Sequence, residues 1–452
     1  MTELLSPAGT LKNMRYAFAY GADAVYAGQP RYSLRVRNNE FNHLDVMAGA
    51  IAEAHAQNKQ FYIASNISPH NDKIRSYIRD MEEVIEMQPD ALIMSDPGLI
   101  MMVREKWPEM PIHLSVQANA TNYATVKFWH SQGIVRTILS RELGLDEIEE
   151  IRQQCPEMEL EVFVHGALCI AYSGRCLLSG YMNHRDPNQG ACTNACRWKY
   201  NTQEATETET GDIIPLKTWN PQENNESAID HADSHEGVPM MLLEEQNRPG
   251  ELMPAFEDEH GTYIMNSKDL RAIQHVERLI KMGVQSLKIE GRTKSHYYAA
   301  RTAQVYRRAI NNAEAGKPFD ISMMAELDHL ANRGYTEGFY RRHVPQEYQN
   351  YEHGASTNPN QQFVGEISEV DTDKGWLTIE VKNRFENGDT LELITPNGNM
   401  TFNLETLENL DGKTMEAAPG SGHTVRMPIP SNAANNVTLP KDGGYAMLMR
   451  YM

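Results

Sequence analysis

Short apolar runs alternate with amphipathic segments over the first two thirds of this chain. Eight runs rich in apolar and β-branched residues predict strands at 3–5, 24–27, 61–65, 91–94, 112–116, 136–139, 160–164 and 286–289. The clearest helical spacing falls between them, at 11–20, 46–57, 73–87, 122–131 and 297–314. Eight strands that each lead into a helix predict an α/β fold, a closed TIM-like (β/α)8 barrel.

An open, doubly wound sheet is the alternative arrangement for such an alternation. The first predicted strand runs into Ser6, Pro7, Ala8 and Gly9, and not into the Gly-x-Gly-x-x-Gly turn of dinucleotide-binding sheets. The open sheet is therefore less favoured than the barrel.

The composition changes beyond the predicted barrel. We assign residues 1–317 to the barrel domain and 318–362 to a connecting segment. From 363 to 452, short alternating strands separated by Gly, Asn and Asp turns predict a small all-β barrel domain. The predicted organisation is thus a (β/α) barrel, assigned as the catalytic domain, followed by a smaller β domain.

The net charge of the 452-residue chain is -19, from 42 Lys and Arg against 61 Asp and Glu. Such a balance excludes a protein whose entire surface binds nucleic acid or anionic membrane. Segment 203–260 alone has 15 carboxylates against Lys217 and Arg248, so it supplies -13 and the other 394 residues only -6. We predict that this acidic segment extends over the barrel mouth, with order around 238–243. The net charge does not exclude a local basic surface elsewhere.

Membrane and secretory signals are lacking in the sequence. No run approaches the roughly 18 apolar residues of a membrane helix, and the first seven residues do not resemble a signal peptide. Five cysteines are too few for a disulfide framework, which indicates a reducing compartment. We expect a cytoplasmic protein without a membrane partner.

Four cysteines follow the seventh predicted strand within segment 165–200. Cys169, Cys176, Cys192 and Cys196 form the pattern Cys-x6-Cys-x15-Cys-x3-Cys, whereas Cys155 reads as a small buried hydrophobic residue. Four thiolates suit an iron–sulfur cluster or a structural zinc ion. Zinc sites usually pair cysteines two to four residues apart in each half, and only the second pair has that spacing. The pattern favours the cluster over zinc, with unliganded thiols as the third possibility.

Polar residues follow almost every predicted strand, at the face where barrels carry their reactive groups. We assign His165, Arg141 and Glu290 as catalytic candidates. The substrate-binding candidates are Asn66, Gln117, Lys288 and Arg292. Cationic and amide donors at one mouth predict a site for a polar, anionic ligand.

Basic residues also cluster near two strand ends. Residues 288–308 contain six Lys or Arg against Glu290 alone, and tyrosines are interleaved with them. The candidates for RNA contact are Arg31, Arg35, Arg37, Lys294 and Arg301, with Tyr32, Tyr297, Tyr298 and Tyr306 as possible stacking residues. On the residues alone, a solvated amphipathic helix is the preferred interpretation of the helical part.

Several motifs resemble peptidase family U32, the collagenase-like peptidases. They comprise His-Gly-Ala-Leu-Cys at 165–169, Ser-Gly-Arg-Cys at 173–176, Cys192 to Cys196 followed by Arg-Trp, Leu-Ser-Pro-Ala-Gly at 5–9, Gly-Ala-Asp-Ala-Val-Tyr at 21–26, Asn-Ser-Lys-Asp-Leu at 266–270 and Leu-Lys-Ile-Glu-Gly-Arg at 287–292. The motifs cover residues 4 to about 300, and the β domain also resembles the family's C-terminal domain.

What this resemblance implies is hydroxylation and not proteolysis. Members hydroxylate tRNA, ribosomal RNA or ubiquinone precursors without molecular oxygen, using an iron–sulfur cluster. The run at 183–190 is similar to the branch that forms 5-hydroxyuridine at the wobble position of tRNA, with prephenate, a dicarboxylate, as the source of the hydroxyl group.

The resemblance also assigns the ligands of a 4Fe–4S cluster, delivered by an iron–sulfur assembly partner. They are Cys169, Cys176, Cys192 and Cys196. One position departs from the family pattern, because several relatives have a cysteine after Asp-Leu where this chain has Arg271. With tRNA as the implied partner, the basic segments become candidates for RNA binding.

Two other functions are considered. A peptidase would need a nucleophile or a metal, and the chain has neither a His-Glu-x-x-His motif nor a Gly-x-Ser-x-Gly motif. A non-catalytic cluster or zinc scaffold does not account for the polar barrel mouth. We therefore expect an RNA-modifying enzyme.

Overall fold

The computed structural model describes residues 1–34, 40–168, 172, 175, 188, 200–207, 213–215, 240–245, 252–258, 261–262, 268–332, 334–341, 361–430, 439 and 443–452. Its first fifteen strands are β1 (Glu3–Pro7), β2 (Ala24–Gly28), β3 (Gln60–Ser65), β4 (Ala91–Met94), β5 (Ile112–Leu114), β6 (Arg136–Ile138), β7 (Glu159–Ala167), β8 (Tyr200–Glu207), β9 (Ile213–Pro215), β10 (Met240–Glu245), β11 (Leu252–Asp258), β12 (Gly261–Thr262), β13 (Asp269–Arg271), β14 (Ser286–Ile289) and β15 (Tyr335–Thr336).

Eight of these strands close into a parallel barrel. Strands β1 to β7 pair in sequence order, and β14 pairs in parallel with both β1 and β7. The strands are buried because the lumen and the helix layer cover their two faces. The predicted (β/α)8 barrel is confirmed, all eight predicted strands are present, and the open-sheet alternative is wrong.

Helices surround the barrel as its outer layer. They are α1 (Leu11–Ala19), α2 (Leu44–Ala56), α3 (Asn71–Glu86), α4 (Pro97–Lys106), α5 (Tyr123–Ser131), α6 (Leu145–Gln154), α7 (Val276–Lys281), α8 (His296–Glu314) and α9 (Ser322–Asp328). Their starts have a local cause: the side chains of Thr10, Asp96 and Ser295 accept backbone N–H groups of the first turns of α1, α4 and α8. The five predicted helices agree with these elements to within a few residues.

The segment after β7 interrupts the barrel, as predicted. Within it, the backbone forms an antiparallel sheet in the order β12-β11-β10-β8-β9. Strand β10 coincides with the region where we expected order in the acidic segment. Its position over the barrel mouth stays a prediction.

Two short strands extend the barrel wall at the end of β7. Strand β13 pairs antiparallel with β7, and β15 pairs in parallel with β13. The predicted connecting segment contains α9 and β15, while residues 342–360 lie outside the described residues.

The C-terminal part is all-β, as predicted, and the structure shows that its strands pair antiparallel. Its strands are β16 (Gln361–Asp371), β17 (Trp376–Val381), β18 (Phe385–Glu386), β19 (Thr390–Thr395), β20 (Gly398–Asn403), β21 (Leu407–Glu408), β22 (Thr414–Met415), β23 (Ala417–Ala418), β24 (Thr424–Pro428) and β25 (Met447–Tyr451). Eight of them pair in the order β20-β19-β25-β16-β17-β24-β21-β22 around a second apolar core. Closure of this sheet into a barrel stays a prediction.

The β domain packs against α1 and α8. Ile394, Met447 and Met449 belong to the apolar core of the barrel. The Tyr20 hydroxyl of the turn after α1 donates to the carbonyls of Ile394 and Tyr445, at 3.1 and 3.0 Å. In the described part of the chain, no helix has the length and apolarity needed to cross a bilayer.

Candidate active site at the barrel mouth

A cavity lies inside the barrel at the carboxyl ends of its strands. Its polar lining comes from the ends of β3, β5, β6 and β14 or the loops that follow them, with seven residues: Asn66, Ser115, Gln117, Arg141, Lys288, Glu290 and Arg292. Six of the seven site residues predicted from the sequence are in this set, and the exception is His165. The side-chain oxygen of Gln117 is buried there without a hydrogen-bond partner, which leaves it available to a ligand.

Lys288 forms the floor of the cavity and pairs with a buried carboxylate that the sequence did not indicate. The Lys288 ammonium donates to Glu161 Oε1 at 2.7 Å, and both side chains are almost fully buried. Burial lowers the pKa of Lys288, and the charge of Glu161 opposes that shift. The Lys288 ammonium also lies 4.3 Å from the centre of the Tyr26 ring. Glu161 therefore stabilises a positive charge at the base of the site.

A second buried cation extends this network below the cavity. Arg136 donates to Glu3 at 2.6 Å and to Glu161 at 3.3 Å. Burial opposes the charge of Arg136, but the nearby carboxylates of Glu3 and Glu161 raise its pKa overall. The lumen thus holds alternating charges, Glu3, Arg136, Glu161 and Lys288, whose mutual pairing offsets their loss of hydration.

Arg292 enters the cavity from the loop after β14, and Gly28 makes room for it. Its Nη1 donates to Ser33 Oγ at 2.7 Å. A Cβ atom at position 28 would lie 2.6 Å from that Nη1 and 2.7 Å from Ser33 Oγ. The glycine at the end of β2 is therefore needed for the observed position of the guanidinium.

Arg141 and Glu290 are both hydrogen-bonded to the backbone of Ala167, at the end of β7. Arg141 Nη1 donates to the carbonyl of Ala167 at 3.2 Å, and the Ala167 N–H donates to Glu290 Oε2 at 3.4 Å. The Arg141 guanidinium lies 3.9 Å from the centre of the Phe163 ring. Three cations and one carboxylate consequently line the described cavity, an arrangement suited to an anionic ligand.

His165 lies outside this cavity, contrary to the expectation that it shares the mouth with the other candidates. The register between β7 and β14 shifts so that Lys288 faces Phe163 and Ile289 faces His165. This bulge reverses the side-chain alternation and turns His165 toward the helix layer, against Tyr298, Tyr306 and Tyr335. Burial, with a smaller contribution from Arg271 and Lys294, lowers the pKa of His165 to about 3.

The candidates for RNA contact separate into three groups. Arg301 is 1% exposed and its guanidinium binds Glu392 of the β domain, so its assignment to RNA is wrong. The four proposed stacking tyrosines are also buried: Tyr32, Tyr297, Tyr298 and Tyr306. Their burial excludes stacking on RNA bases in this conformation.

Two predicted RNA contacts keep access to solvent. Arg31 is largely exposed and binds Asp80 at 2.7 Å, and Lys294 is partly exposed with its ammonium 5.4 Å from the Tyr298 ring. Arg35 and Arg37 lie outside the described residues. RNA binding by these residues stays a prediction.

The four predicted cluster ligands, Cys169, Cys176, Cys192 and Cys196, also lie outside the described residues. Within the described part of the chain, no three His, Cys, Asp or Glu side chains are placed to hold a metal ion. Two described residues bracket the segment with the first two cysteines. Leu168 follows β7, and the carbonyl of Asn188 accepts the N–H of Ser68, after β3, at 3.1 Å.

Arg271, the position where several relatives have cysteine, is engaged with neighbouring elements. Its Nη1 donates to the carbonyl of Met324 at 3.1 Å and to the Asp328 carboxylate, and its guanidinium lies 4.7 Å from the centre of the Tyr335 ring. This position therefore holds β13 against α9 and β15.

Related proteins cover the whole length of this architecture. The model of peptidase family U32 matches residues 9–350, and the model of the peptidase family U32 C-terminal domain matches residues 359–439. The tRNA hydroxylation protein P of Escherichia coli (strain K12) is 64% identical over 449 residues, which are 99% of this chain and 96% of that protein.

Two further relatives match at least 90% of this chain. The tRNA hydroxylation protein P of Haemophilus influenzae is 60% identical over 99% of this chain and 96% of that protein. A 23S rRNA 5-hydroxycytidine synthase of Escherichia coli is 27% identical over 90% of this chain and 54% of that protein. From its barrel domain to its C-terminal β domain, this chain belongs to peptidase family U32.

Proposed function

We propose that this protein hydroxylates tRNA, forming 5-hydroxyuridine from the wobble uridine without molecular oxygen. The observation that carries the proposal is the full-length identity of 64% and 60% to two proteins named tRNA hydroxylation protein P. Prephenate is the proposed source of the hydroxyl group. A 4Fe–4S cluster on Cys169, Cys176, Cys192 and Cys196 is the proposed cofactor.

The charge of the cavity supports a dicarboxylate co-substrate. Arg292 and Arg141 carry planar guanidinium groups that pair with carboxylates, and Lys288 adds a point charge at the floor. Glu290 is the one carboxylate among the described lining residues, and it is held at the Ala167 N–H. We infer that the cations bind the carboxylates of prephenate, while Glu290 is placed to accept or donate a proton at the reacting end.

The chemistry of the four thiolates supports an iron–sulfur cluster. When bound, such a cluster would supply electrons or polarise an oxygen-containing group. The segment with Cys169 and Cys176 begins one residue beyond Leu168, directly after the β7 strand end that positions Arg141 and Glu290. The protein's own contribution is to hold the anionic ligand against buried cations and to limit its contact with water.

A proteolytic function finds less support. Among the described residues that line the cavity there is no histidine and no cysteine, so the side chains placed there do not include a nucleophile paired with an imidazole base. Hydroxylation of ribosomal RNA is the second candidate, since one relative is named as a 23S rRNA synthase.

The test is nucleoside analysis of tRNA from cells that lack the gene, grown without oxygen to silence oxygen-dependent routes. We expect 5-hydroxyuridine and its derivatives to disappear and to return with the wild-type gene. The Cys176→Ala variant should fail to restore them and should purify without iron and sulfide. Cys155→Ala is the matched control. Cys155 is a buried free thiol at the C-terminal end of α6 and should be dispensable.

Three outcomes would contradict the proposal. Unchanged 5-hydroxyuridine in the deletion strain would exclude the tRNA assignment, and loss of 5-hydroxycytidine from ribosomal RNA would favour the second candidate. Full activity of Cys176→Ala would exclude a catalytic cluster. A colourless protein with one zinc ion per chain would replace the cluster by zinc.

A further inference from the structure

A groove lies between the barrel and the β domain, away from the cavity described above. It has a volume of about 400 Å³ and is lined by Lys12, Arg15, Tyr16, Ile367, Gly444 and Tyr445. The first three belong to α1, and the others to the β domain. The groove therefore exists only where the two domains meet.

Tyr445 presents its ring in this groove from an unusual backbone. Its φ angle is 65°, and the two preceding glycines, Gly443 and Gly444, have φ angles of 77° and 50°. A tyrosine is rarely found in the left-handed region, and such strain persists mainly where it serves a function. Gly443 is required for this turn, since a Cβ atom there would collide with the carbonyl of Ile367.

The ring is held in place but remains accessible. The rings of Tyr445 and Tyr16 form an edge-to-face contact, with centroids 5.2 Å apart. The Tyr16 hydroxyl donates to Glu366 at 3.2 Å, which anchors this contact. Tyr445 is nevertheless 41% exposed, unlike the four buried tyrosines that the sequence suggested for stacking. An oriented, accessible aromatic ring is the feature on which nucleobases stack.

Two cations flank this ring and retain donors for a ligand. Lys12 binds Glu366 at 2.5 Å and Arg15 binds Glu53 at 2.7 Å, while both side chains stay more than 40% exposed. An ammonium has three donors and a guanidinium five, so neither ion pair uses them all. Since each cation is paired, the groove is not strongly basic, and stacking would dominate with phosphate contacts in support.

One wall of the groove, helix α1, contacts a loop of the barrel mouth. Helix α1 begins just after the mouth end of β1, and Asn13 in its first turn donates to the carbonyl of Lys294 at 2.9 Å. Lys294 belongs to the loop after β14, which also carries Glu290 and Arg292. A polynucleotide with one nucleotide at the mouth could reach the groove along this rim.

We propose that this groove binds a second nucleotide of the substrate tRNA, outside the uridine that is modified. Tyr445 stacks on its base, and Lys12 and Arg15 contact the adjacent phosphates. The inference rests on the proposed function, because that function makes tRNA the partner.

The test uses Tyr445→Gly in the full-length protein, with tRNA affinity and thermal stability as readouts. Glycine removes the ring and also relieves the left-handed strain, so the variant should fold at least as well as the wild type. We expect tRNA to bind about 5-fold to 150-fold more weakly, the range for loss of one base–aromatic stack. Tyr445→Phe should stay within about twofold of the wild type because it keeps the ring.

Another exposed ring provides the matched control, and a double variant tests the phosphate contacts. Phe128→Ala removes another exposed aromatic ring, from α5, and should leave the tRNA Kd unchanged. The double variant Lys12→Ala/Arg15→Ala should reduce the dependence of log K on log salt by about 0.7 to 0.9 for each lost phosphate contact.

The outcomes separate this inference from the proposed function. If the wild type hydroxylates tRNA and Tyr445→Gly binds tRNA as tightly, the groove proposal is wrong and the function stands. If Tyr445→Gly weakens tRNA binding as expected but the wild-type protein forms no 5-hydroxyuridine, the groove proposal stands and the proposed function is wrong. If Tyr445→Gly keeps its tRNA Kd but loses a protein partner, the groove is a protein-binding surface and the proposal is overturned.

Discussion

His165 illustrates how a single side chain acquires its properties from its surroundings. Its ring centroid lies 5.8, 5.5 and 5.4 Å from those of Tyr298, Tyr306 and Tyr335. The Tyr306 hydroxyl lies 3.4 Å from His165 Nδ1 and donates to the carbonyl of Val164 at 2.7 Å. With a pKa of about 3, the imidazole is neutral at physiological pH and packs as an aromatic ring.

This burial predicts a measurable dependence of stability on pH. Between pH 6.5, the ordinary histidine value, and pH 3, the unfolded chain binds a proton at His165 and the folded chain does not. The free energy of unfolding should therefore fall as the pH falls through this window. His165→Phe should flatten that decline in urea unfolding at pH 7, 5.5 and 4.

The exposed His130 on α5 gives the matched control. His130→Gln should show the same pH dependence as the wild type, because this side chain is exposed to solvent and folding does not bury it. An unchanged slope for His165→Phe would contradict the buried, neutral histidine. The same variant tests its predicted catalytic role, since retained hydroxylation would exclude it.

At the scale of elements, the end of each strand determines which groups reach the cavity. β2 ends in Gly28, which leaves the space that the Arg292 guanidinium occupies beside Ser33. The bulge between β7 and β14 has a comparable effect, because it turns His165 outward while Glu161 and Phe163 face the lumen. Backbone details at strand ends thus select the members of the site.

Gly28→Ala should weaken the binding of prephenate with little effect on folding elsewhere. The new methyl group displaces Arg292 or Ser33, and a lost charged hydrogen bond corresponds to about 10-fold to 100-fold in Kd. Isothermal titration with protein purified without oxygen measures this affinity.

Gly49→Ala on α2 is the control, because a Cβ atom there meets nothing within 4 Å. It should leave the affinity unchanged and stabilise the helix by about 0.5 to 1 kcal/mol. Wild-type affinity in Gly28→Ala would show that Arg292 does not contact the ligand.

At the scale of the whole molecule, buried ion pairs join the barrel to the β domain. Arg301 of α8 donates to the Glu392 carboxylate of β19 at 3.2 and 3.4 Å, and Gln361 of β16 donates to the same carboxylate at 2.8 Å. Because Arg301 is 1% exposed, this network is shielded from water. It fixes the β domain against α8 and so preserves the groove around Tyr445.

Arg301→Ala should destabilise the protein by about 3 to 5 kcal/mol, because Glu392 would be left buried without its cation. Thermal and urea unfolding should show the loss. Arg384→Ala is the control, since Arg384 is 60% exposed and binds Glu386 on the surface, where such pairs contribute about 0 to 1 kcal/mol. A stable Arg301→Ala protein with a lower salt dependence of tRNA binding would restore the original assignment to RNA.

Patterns in the sequence correctly predicted the barrel, its eight strands, the all-β nature of the C-terminal part and six of the seven site residues, which line the cavity. These features follow from hydrophobic periodicity and from the position of residues after strands, which are local properties. Glu161 was missed, although a carboxylate within an otherwise apolar strand is a signal of a buried ion pair.

Which polar residues are buried, and what they contact, follows from the folded chain and not from any local pattern. The outward turn of His165 depends on a bulge between strands that are more than 120 residues apart in the chain. Arg301 and Glu392 are separated by 91 residues, and nothing local distinguishes Arg301 from an exposed arginine of a solvated helix. Burial and ion pairing depend on contacts between distant segments, so they are properties of the folded molecule and not of sequence spacing.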